Sequence, residues 1–556
     1  MGRPAAENKR PINEKPSFMA VIPESLLRLR AKGVYSELFY FGLVLMMISL
    51  PLSRFGMSVA QFLLAGAWLL EGDLRSKWQR IRHNSPAIIF ISLFILHLAG
   101  LIHTSDFEYG FKDIRTKLPL LILPLLLVSA SPISGSRMIL LWWFYIGAIL
   151  AGTLISASLL LFRDITDTRQ IFPFISHIRF SLNLCIGFFA ALYLFLKHYR
   201  TNRRIQTILF LIMGWMFFFL LISGSLTGLS ILAIVFAGFA VAALLSVRNI
   251  YKRLTAAAVL LVAVILAGFY VHDIVKSYHT PYLSDTSGLE EFSPSGSRYV
   301  HDTVGWPVES GRYSGLYIAS GELRETWNRR SNLDYDGEDL RGQPLSGTLI
   351  RYLSSKGLRK DSAGVAQLTE KDIGAIEKGV ANVEYLNKFS FRPRIYSMIW
   401  EYDSYRRGGN PGGHTLMQRM EFWKASVGII TDNFWFGVGT GDVQQAFDRQ
   451  YKEMDSPLKP ELRWRAHNQF LAIFIAFGLF GFLWFVFTLI YPPLKTGRIK
   501  DFLYTVFFAI ILLSMMTEDT LETQAGATLF AFMNAFLLFN RKETNAEVND
   551  PDSGSG

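Results

Sequence analysis

The sequence of 556 residues is poor in charge and in cysteine. Asp, Glu, Lys and Arg make up only 18% of it, whereas ordinary soluble chains carry about 25%, so a soluble globular enzyme is not expected. A single cysteine, Cys185, excludes an intramolecular disulfide framework and a cysteine-based metal site. Apolar residues make up 51% of the chain and aromatic residues 14%. They are gathered into long runs, which is typical of a membrane protein.

The net charge of +11 is confined to the hydrophobic part of the chain. Residues 274–466 carry 25 basic and 25 acidic residues, while the remainder carries 31 basic and 20 acidic residues. A basic excess beside apolar runs favours loops held against an anionic membrane surface and argues against nucleic-acid binding. The expected partners at this point are membrane lipids and no nucleic acid.

Apolar runs of about seventeen or more residues are long enough to cross a bilayer. Twelve candidates occur, of which the second and the eleventh are short, near residues 35–53, 56–71, 86–102, 117–133, 138–162, 179–197, 206–223, 226–247, 254–272, 468–491, 502–517 and 524–540. The sequence therefore predicts an all-α polytopic membrane protein with about twelve transmembrane helices and one large loop.

The charge of the short loops predicts the orientation, because cytoplasmic loops are rich in Lys and Arg. With the N-terminus inside, the short inside loops carry fourteen basic residues and the short outside loops six. The predicted organisation is a cytoplasmic tail (1–34), nine membrane helices (35–273), a helical loop domain on the outer side (274–466), three further membrane helices (467–540) and a second cytoplasmic tail (541–556).

The outer loop changes character along its length. Residues 280–345 are rich in Gly, Ser, Tyr and charge and are predicted to be irregular. Thr369 and Asp372 have capping-box spacing, and apolar residues follow at helical spacing as far as Leu386. Beyond a turn-rich break at 407–413, a second helix is predicted, and a third is predicted to begin with Asp442 as its N-cap. The second helix is predicted to be amphipathic, with one apolar stripe that consists of Leu416, Met420, Trp423, Val427 and Ile430.

Residues 419–481 hold the side chains best suited to chemistry. His467 and Asn468 lie where the chain enters the tenth predicted span from outside, so the imidazole can meet both a water-soluble and a lipid-borne reactant. An ordinary histidine pKa of about 6.5 suits proton transfer at neutral pH, although a structural interfacial histidine is the simpler explanation. The glycine-rich segment 437–441 superficially matches a phosphate-binding loop. Without a βαβ context, a turn between two surface helices is the better interpretation.

Three cations lie at the same predicted membrane face. Arg179 begins the sixth span, just after His177, and an arginine at the edge of hydrocarbon usually has a partner or a function. Arg419 lies beside the apolar stripe of its helix, and Lys117 opens the fourth span. A solvated side chain is the alternative explanation for Arg419. Binding to a lipid headgroup is the alternative explanation for Lys117. Together, cations of this kind can stabilise a departing pyrophosphate while a histidine takes the proton of an attacking hydroxyl.

Two acidic groups receive less weight. Glu518, Asp519 and Glu522 lie between the last two spans, and they could orient an arginine or His467; a solvated loop is the preferred interpretation. The segment 334–336, Asp-Tyr-Asp, matches a short metal-binding motif of sugar transferases, but it lies in an acidic stretch that is predicted to be solvated.

The block resembles the O-antigen ligase and polymerase family of bacterial envelope proteins. Its motifs are an Arg-x-x-x-Trp helix at Arg419–Trp423, an Asn-x-x-Phe-Gly-x-Gly turn at Asn433–Gly439, and the closing pair His467-Asn468. The motifs cover 414–482, and the layout of the predicted spans is similar to that of the ligase. One departure is the segment 223–228, which holds no arginine where many members have a Ser-Arg-Gly element. The long stretch 280–410 is an elaboration that the resemblance does not explain.

The resemblance implies a GT-C-like glycosyltransferase of the bacterial inner membrane, with both termini cytoplasmic and its active site periplasmic. The donor would be a glycan on undecaprenyl pyrophosphate, and the acceptor a sugar hydroxyl of lipid A-core. His467 would be the general base, and pyrophosphate would be bound by Arg419, Arg179 and Lys117, with support from Asn468, Trp423, Arg465 and His177. Attack would invert the anomeric centre, because no carboxylate nucleophile is evident. No metal or other cofactor is expected.

Three alternatives stay open. A polymerase would use the same donor and a second lipid-linked repeat unit as acceptor. A flippase or transporter would need ionisable residues deep in several spans and two related halves, whereas the candidates here cluster at one face. A non-catalytic scaffold would not depend on His467. A homo-oligomer is compatible with each of these.

Overall fold

The computed structural model describes residues 24–162, 171–198, 201–247, 249–279, 288–386 and 392–540, with side chains from Gly33 onward. The predicted tail 541–556 and most of the tail 1–34 lie outside the described residues. The chain forms two compact units. The first unit comprises residues 1–239, 425–451 and 464–556, and the second comprises residues 240–424 and 452–463.

Apolar runs form helices, because a backbone away from water must satisfy its own hydrogen bonds. Up to residue 279 the helices are α1 (Glu24–Leu52), α2 (Arg54–Leu70), α3 (Leu74–Arg82), α4 (Ser85–Ala99), α5 (Phe107–Lys117), α6 (Pro119–Ser129), α7 (Gly135–Phe162), α8 (His177–Lys197), α9 (Arg203–Ile222), α10 (Leu226–Ser246) and α11 (Ile250–His279).

The loop region is also mainly helical. It contains the antiparallel hairpin of β1 (Val308–Glu309) and β2 (Arg312–Tyr313), in which Val308 pairs with Tyr313. Its helices are α12 (Ser320–Asn328), α13 (Leu345–Lys356), α14 (Ser362–Ala366), α15 (Glu370–Glu377), α16 (Arg392–Arg406), α17 (Thr415–Asp432) and α18 (Val443–Glu453), with 3₁₀ turns at Val383–Leu386 and Pro460–Leu462. The second unit has its own apolar core, in which Trp327, Leu349 and Ile376 are fully buried.

The last helices among the described residues are α19 (Gln469–Lys495), α20 (Phe502–Thr517) and α21 (Gln524–Phe539), with 3₁₀ turns at Arg498–Lys500 and Thr520–Glu522. Helix α21 is buried along almost its whole length, and it packs against α6 and α20. The core of the first unit therefore lies around its last helix, and the 3₁₀ turn before α21 is held against that core.

Among the described residues, seven helices are long and apolar enough to cross a bilayer, or eight if the bent pair α2–α3 is one span. They are α1 from Gly33, α7, α8, α9, α10, α11 and α19. The architecture is mostly helical and consistent with an all-α membrane protein, but the predicted twelve spans are not confirmed. A run of apolar residues does not ensure a continuous helix: the predicted span 117–133 contains α6, which has only 11 residues.

The details predicted for the loop region are partly right. The capping box is confirmed, since Asp372 N donates to Thr369 Oγ1 at 3.3 Å and Thr369 N donates to Asp372 Oδ2 at 2.8 Å. The helix ends well before Leu386, because Gly379 adopts a left-handed φ of 74°. The prediction that 280–345 is irregular is wrong over α12 and the β hairpin.

The predicted helix is present as α17, but its apolar stripe is not the face that is buried within the protein. Met417, Phe422 and Ile429 are buried, whereas Trp423 is 38% exposed and Val427 57%. The buried face includes Glu421, which is only 2% exposed. Its buried carboxylate accepts hydrogen bonds from Tyr405 and Ser456. A hydrophobicity pattern cannot show that a glutamate is buried.

Candidate functional site

His467 lies two residues before α19, next to its N-cap residue, in a strained backbone conformation. Its φ is 46°, in the left-handed region that residues with a side chain rarely adopt and that costs about 1–2 kcal/mol. Asn468 is the N-cap of α19: its Oδ1 accepts from Phe470 N at 2.9 Å and from Leu471 N at 3.2 Å. Its Nδ2 donates to Met516 O at 3.0 Å. Asn468 therefore fixes both the start of α19 and its position beside the end of α20.

The acidic turn between α20 and α21, residues 518–522, contacts this end of α19. His467 Nδ1 lies 3.7 Å from Glu518 Oε2 and 3.6 Å from Asp519 Oδ1. The imidazole side chain is 29% exposed, whereas the side chains of Glu518 and Asp519 are 8% and 16% exposed. The prediction that this turn is a solvated loop is therefore wrong. Burial raises the pKa of Asp519, and the neighbouring carboxylates of Glu522 and Glu518 add to the rise. A cationic neighbour therefore stabilises the ionised form of this carboxylate.

Arg179 reaches the same turn from the start of α8. Its side chain is buried, at 6% exposure. Its Nη2 donates to Asp519 O at 3.3 Å, and its Nη1 donates to Thr520 Oγ1 at 3.5 Å. The structure thus brings Arg179 and His467 together at Asp519, although the two residues are far apart in sequence.

Lys117 belongs to a buried charge cluster, which we define as Asp113, Lys117, Arg465 and Glu522. Lys117 Nζ lies 2.5 Å from Asp113 Oδ1 and 3.0 Å from Glu522 Oε2, and the lysine is 1% exposed. Arg465 Nη1 lies 3.6 Å from Glu522 Oε2. Burial raises the pKa of Glu522, but Lys117 and Arg465 outweigh this effect and hold the pKa at about 2. Burial likewise raises the pKa of Asp113, to about 6, against the opposing influence of Lys117.

The charge cluster borders a cavity that is too small for a substrate. The cavity has a volume of about 20 Å³ and is also lined by His97 and Thr440. Such a volume accommodates about one water molecule, whereas ligand pockets begin at about 300 Å³. Because its ammonium group is buried between two carboxylates, the structure argues against Lys117 as a pyrophosphate ligand. Lys117 and Arg465 instead hold Glu522, and with it the acidic turn, in place.

Gln469 is a site residue that sequence analysis missed. It is fully buried, its Oε1 accepts from Leu521 N at 2.6 Å, and its Nε2 donates to Glu522 Oε1 at 3.3 Å. The sequence feature that could have identified Gln469 is its position in the first turn of an apolar helix. An amide side chain there needs a hydrogen-bond partner, because an unsatisfied polar group is costly. Gln469 therefore connects the helix that follows His467 directly to the acidic turn.

The glycine turn 437–441 joins α17 to α18, as predicted, and it also docks onto a break in α19. Val438 N donates to Ile475 O and Gly439 N donates to Ala476 O, both at 2.9 Å, and Leu479 N donates to Phe434 O at 2.8 Å. These bonds satisfy backbone groups on both sides of Gly478, where α19 has φ 62° and ψ −165°. The predicted N-cap Asp442 directly precedes α18, and its carbonyl accepts from Ala446 N at 2.9 Å. Its side-chain carboxylate accepts backbone hydrogen bonds from Ser105 and Asp106.

Substitution of Gly478 by Ala is expected to destabilise the protein. This backbone conformation is essentially restricted to glycine, and forcing another residue into it costs about 1–3 kcal/mol; in addition, a Cβ would lie 2.3 Å from Phe436 N. A lower unfolding midpoint of the purified protein in detergent would confirm the cost. The matched control is Gly214→Ala, because Gly214 lies in α9 and a Cβ there meets nothing within 4 Å; equal midpoints for the two variants would contradict the prediction.

The remaining predicted site residues are placed as follows. Arg419 and Trp423 lie on the part of α17 that belongs to the second unit, so their contribution to the site stays a prediction. His177 is the first residue of α8 and is half-buried, with its ring 6.2 Å from that of Phe172. The exposed indole of Trp464 has its ring 6.2 Å from the His467 ring.

The arrangement around His467 permits two kinds of chemistry. His467 Nδ1 and the carboxylate oxygens of Glu518 and Asp519 all lie within 4.8 Å of one another. Two carboxylates beside Nδ1 stabilise an imidazolium and so favour a general base. One imidazole and two carboxylates are also a possible ligand set for a divalent transition metal. A metal site would make glycan transfer sensitive to a chelator, whereas a general base would not.

Part of the chain is similar to a known protein family. Residues 378–486 match a family model described as O-antigen ligase. The match includes α17, the glycine turn, His467-Asn468 and the first part of α19, and it is consistent with the O-antigen ligase and polymerase family. It supports a membrane enzyme of this glycosyltransferase-like kind in general terms. A comparison with curated proteins finds no match.

Proposed function

We propose that the chain is an O-antigen ligase, which moves a glycan from undecaprenyl pyrophosphate to a sugar hydroxyl of lipid A-core at the periplasmic face of the bacterial inner membrane. The observation that carries this proposal is the meeting of Arg179 and His467 at Asp519, in a chain whose residues 378–486 match the O-antigen ligase family model. His467 precedes an apolar helix, a position from which it can reach a lipid-borne donor.

In this proposal His467 acts as the general base. Glu518 and Asp519 face Nδ1, which favours a proton on that nitrogen and leaves Nε2 to accept the proton of the acceptor hydroxyl. As the hydroxyl oxygen attacks the anomeric carbon, positive charge develops on the imidazole beside two carboxylates, which stabilise it. The bond from the anomeric carbon to the pyrophosphate oxygen breaks in the same step.

Arg179 is proposed to stabilise the leaving pyrophosphate. A guanidinium has five N–H donors, and Arg179 uses two of its nitrogens to hold Asp519 and Thr520. The remaining N–H groups suit phosphate oxygens, which guanidinium groups bind through charge-assisted hydrogen bonds. Arg419 is proposed to supply a second guanidinium from the outer loop. In a single displacement of this kind the anomeric centre inverts, and Glu518 and Asp519 act through His467 and not as nucleophiles.

The proposal is tested by transfer in vitro with the purified full-length protein in nanodiscs. The donor is a defined glycan on undecaprenyl pyrophosphate, offered either with lipid A-core or with a second lipid-linked repeat unit. A ligase forms glycosylated lipid A-core; extension of the lipid-linked glycan alone would identify a polymerase. Each reaction is repeated with EDTA. Transfer that is lost with EDTA and restored by Mn²⁺ or Zn²⁺ would contradict the metal-free mechanism and assign His467, Glu518 and Asp519 to a metal.

Replacement of Arg179 by Lys is expected to lower transfer by about 10²–10³-fold, the effect typical of losing a donor that stabilises transition-state charge. Lysine retains the charge but not the planar array of donors. A loss of transfer in this variant would therefore show that the planar guanidinium is needed and that a positive charge alone is not enough. Transfer is measured with saturating donor alongside Arg115→Gln, which removes an exposed arginine two residues before Lys117. Full activity of Arg179→Lys would exclude a specific role for the guanidinium.

A further inference from the structure

The glycine turn and the aromatic residues before it dock against α19 far from its ends. We call residues 434–441 the docked segment. Helix α19 has 27 residues and is long and apolar enough to cross a bilayer. The break at Gly478, onto which the segment docks, is the tenth residue of this helix, and nine helical residues advance about 14 Å. The segment therefore contacts α19 well inside its length and not at the end beside His467.

The contacts between α4 and α19 indicate where the bilayer ends on the side away from His467. Ser85 Oγ, in the first residue of α4, lies 3.1 Å from Tyr491 OH. One helix section further, Trp484 Nε1 donates to Ser92 Oγ at 3.0 Å, so the two helices run antiparallel. Tyrosine at the end of an apolar run is typical of the interface between lipid and water. The pair Ser85–Tyr491 therefore lies at that boundary.

Counting from this boundary places the break in α19 inside the hydrocarbon. A hydrocarbon core about 30 Å thick is crossed by about 20 helical residues. Along α19 this length extends from Tyr491 to Leu471. Gly478 lies seven residues before that point, which is about 10 Å below the opposite surface. The docked segment lies level with Gly478, because Val438 N and Gly439 N donate to the carbonyls of Ile475 and Ala476.

The backbone of the docked segment meets the requirement of a membrane interior. Non-helical backbone at membrane depth is tolerated only where the protein buries it and satisfies its hydrogen bonds. Residues 439–441 are buried. The five consecutive N–H groups of residues 437–441 all donate within the protein, at 2.9–3.1 Å, to Asn433 O, Ile475 O, Ala476 O, Gly100 O and Thr104 Oγ1. The segment also contains no charged residue.

The exposed side chains of the docked segment are large and apolar. Trp435 is 55% exposed and Phe436 is 69% exposed. Their rings lie 5.8 Å and 5.6 Å, respectively, from that of Phe480 on α19, which is 56% exposed. Leu483 and Trp484 follow Phe480 at helical spacing and are also exposed. The aromatic side chains of the segment are therefore continuous with the outward apolar face of a helix that can span the bilayer.

We propose that the docked segment is inserted into the bilayer leaflet on the side of His467, where Trp435 and Phe436 contact lipid acyl chains. The chain then re-enters the membrane between α17 and α18, whereas the sequence pattern predicts that residues 274–466 lie wholly outside it. Acyl chains fit this surface because it carries no charge and extends the lipid-facing side of α19. The inference concerns the position of the chain in the membrane and does not depend on the proposed glycan transfer.

The test measures the depth of a nitroxide label by electron paramagnetic resonance. The full-length protein is studied in nanodiscs of phosphatidylethanolamine and phosphatidylglycerol. Its single cysteine, the buried Cys185, is replaced by Ala, and the label is attached in the variants Trp435→Cys and Phe436→Cys. Oxygen concentrates among acyl chains, whereas a water-soluble nickel chelate is excluded from them. We expect collisions with oxygen to dominate at both labels.

Two control positions calibrate the measurement. Arg449→Cys is the aqueous control, because Arg449 is exposed on the polar helix α18 of the same unit. Phe210→Cys is the lipid control, because Phe210 is 64% exposed in the apolar helix α9. The ratio of oxygen to nickel collision rates at residues 435 and 436 should be several-fold higher than at residue 449 and close to that at residue 210. The unfolding midpoint identifies any labelled variant that does not fold, and the second label position then gives an independent measurement.

Two results would overturn the proposal. A collision ratio at both labels equal to that of the Arg449→Cys control would place the docked segment in water. Low collision rates with both oxygen and the nickel chelate would show that protein covers these side chains, as in a contact between two copies of the chain, and that lipid does not.

Discussion

Replacement of His467 by Asn is expected to reduce glycan transfer by about 10²–10⁴-fold, the contribution typical of a general base. Asparagine tolerates the left-handed backbone that His467 adopts at φ 46°, so the start of α19 should be preserved. An amide cannot take a proton from the acceptor hydroxyl, and the carboxylates of Glu518 and Asp519 would lose the imidazole that faces them. The initial rate of transfer at saturating donor measures this loss.

The matched control for this experiment is His103→Gln. His103 is exposed and follows α4 in the same unit, and it takes no part in the proposed mechanism, so transfer should be retained. The unfolding midpoint of His467→Asn should stay close to that of the unmodified protein. Wild-type transfer rates in a folded His467→Asn variant would remove the general base from the mechanism and favour a non-catalytic role for the chain.

The sequence predicts the main parts of the candidate site but not how they are supported. His467 and Arg179 stand out because an ionisable residue at the end of an apolar run is costly, and the structure brings both to Asp519. The role of the acidic turn in orienting His467 was only the less favoured interpretation, because Glu522 is distant in sequence from both Lys117 and Arg465. The same distance explains why Lys117 was expected to bind pyrophosphate: the two carboxylates that surround it become visible only in the fold.

Helical structure was predicted well in type and less well in extent. Apolar periodicity identifies α15 and α17, and the capping box locates the start of α15, because these signals are local. The break at Gly478 in α19 has no such signal, since an apolar run with Gly478 and Gly481 could also form a continuous span. The break depends on the glycine turn 437–441, which supplies hydrogen bonds from another segment. A local pattern of apolar residues cannot predict long-range backbone hydrogen bonds of this kind.

Replacement of Glu522 by Gln is expected to destabilise the folded protein by about 3–5 kcal/mol, the cost typical of removing one partner of a buried ion pair. Lys117 would retain only Asp113, and Arg465 would lose the carboxylate that lies 3.6 Å from its Nη1. The unfolding midpoint in detergent at neutral pH measures this cost. Glu108→Gln is the matched control, because Glu108 is an exposed glutamate on α5, and its effect should be within about 0.5 kcal/mol.

The dependence of the unfolding midpoint on pH distinguishes the loss of the ion pair from a packing defect. Since the pKa of Glu522 is held at about 2, below the value of about 4.3 in an unfolded chain, its ionised form stabilises the fold above pH 4.3, and this stabilisation is lost as the pH falls towards 2. The difference in midpoint between Glu522→Gln and the unmodified protein should therefore be largest at neutral pH and shrink in acid. In a double-mutant cycle, Lys117→Met should cost less in the Glu522→Gln background than alone. Additive costs and a difference independent of pH would show that Glu522 acts through packing, and the acidic turn beside His467 would then not depend on the charge cluster.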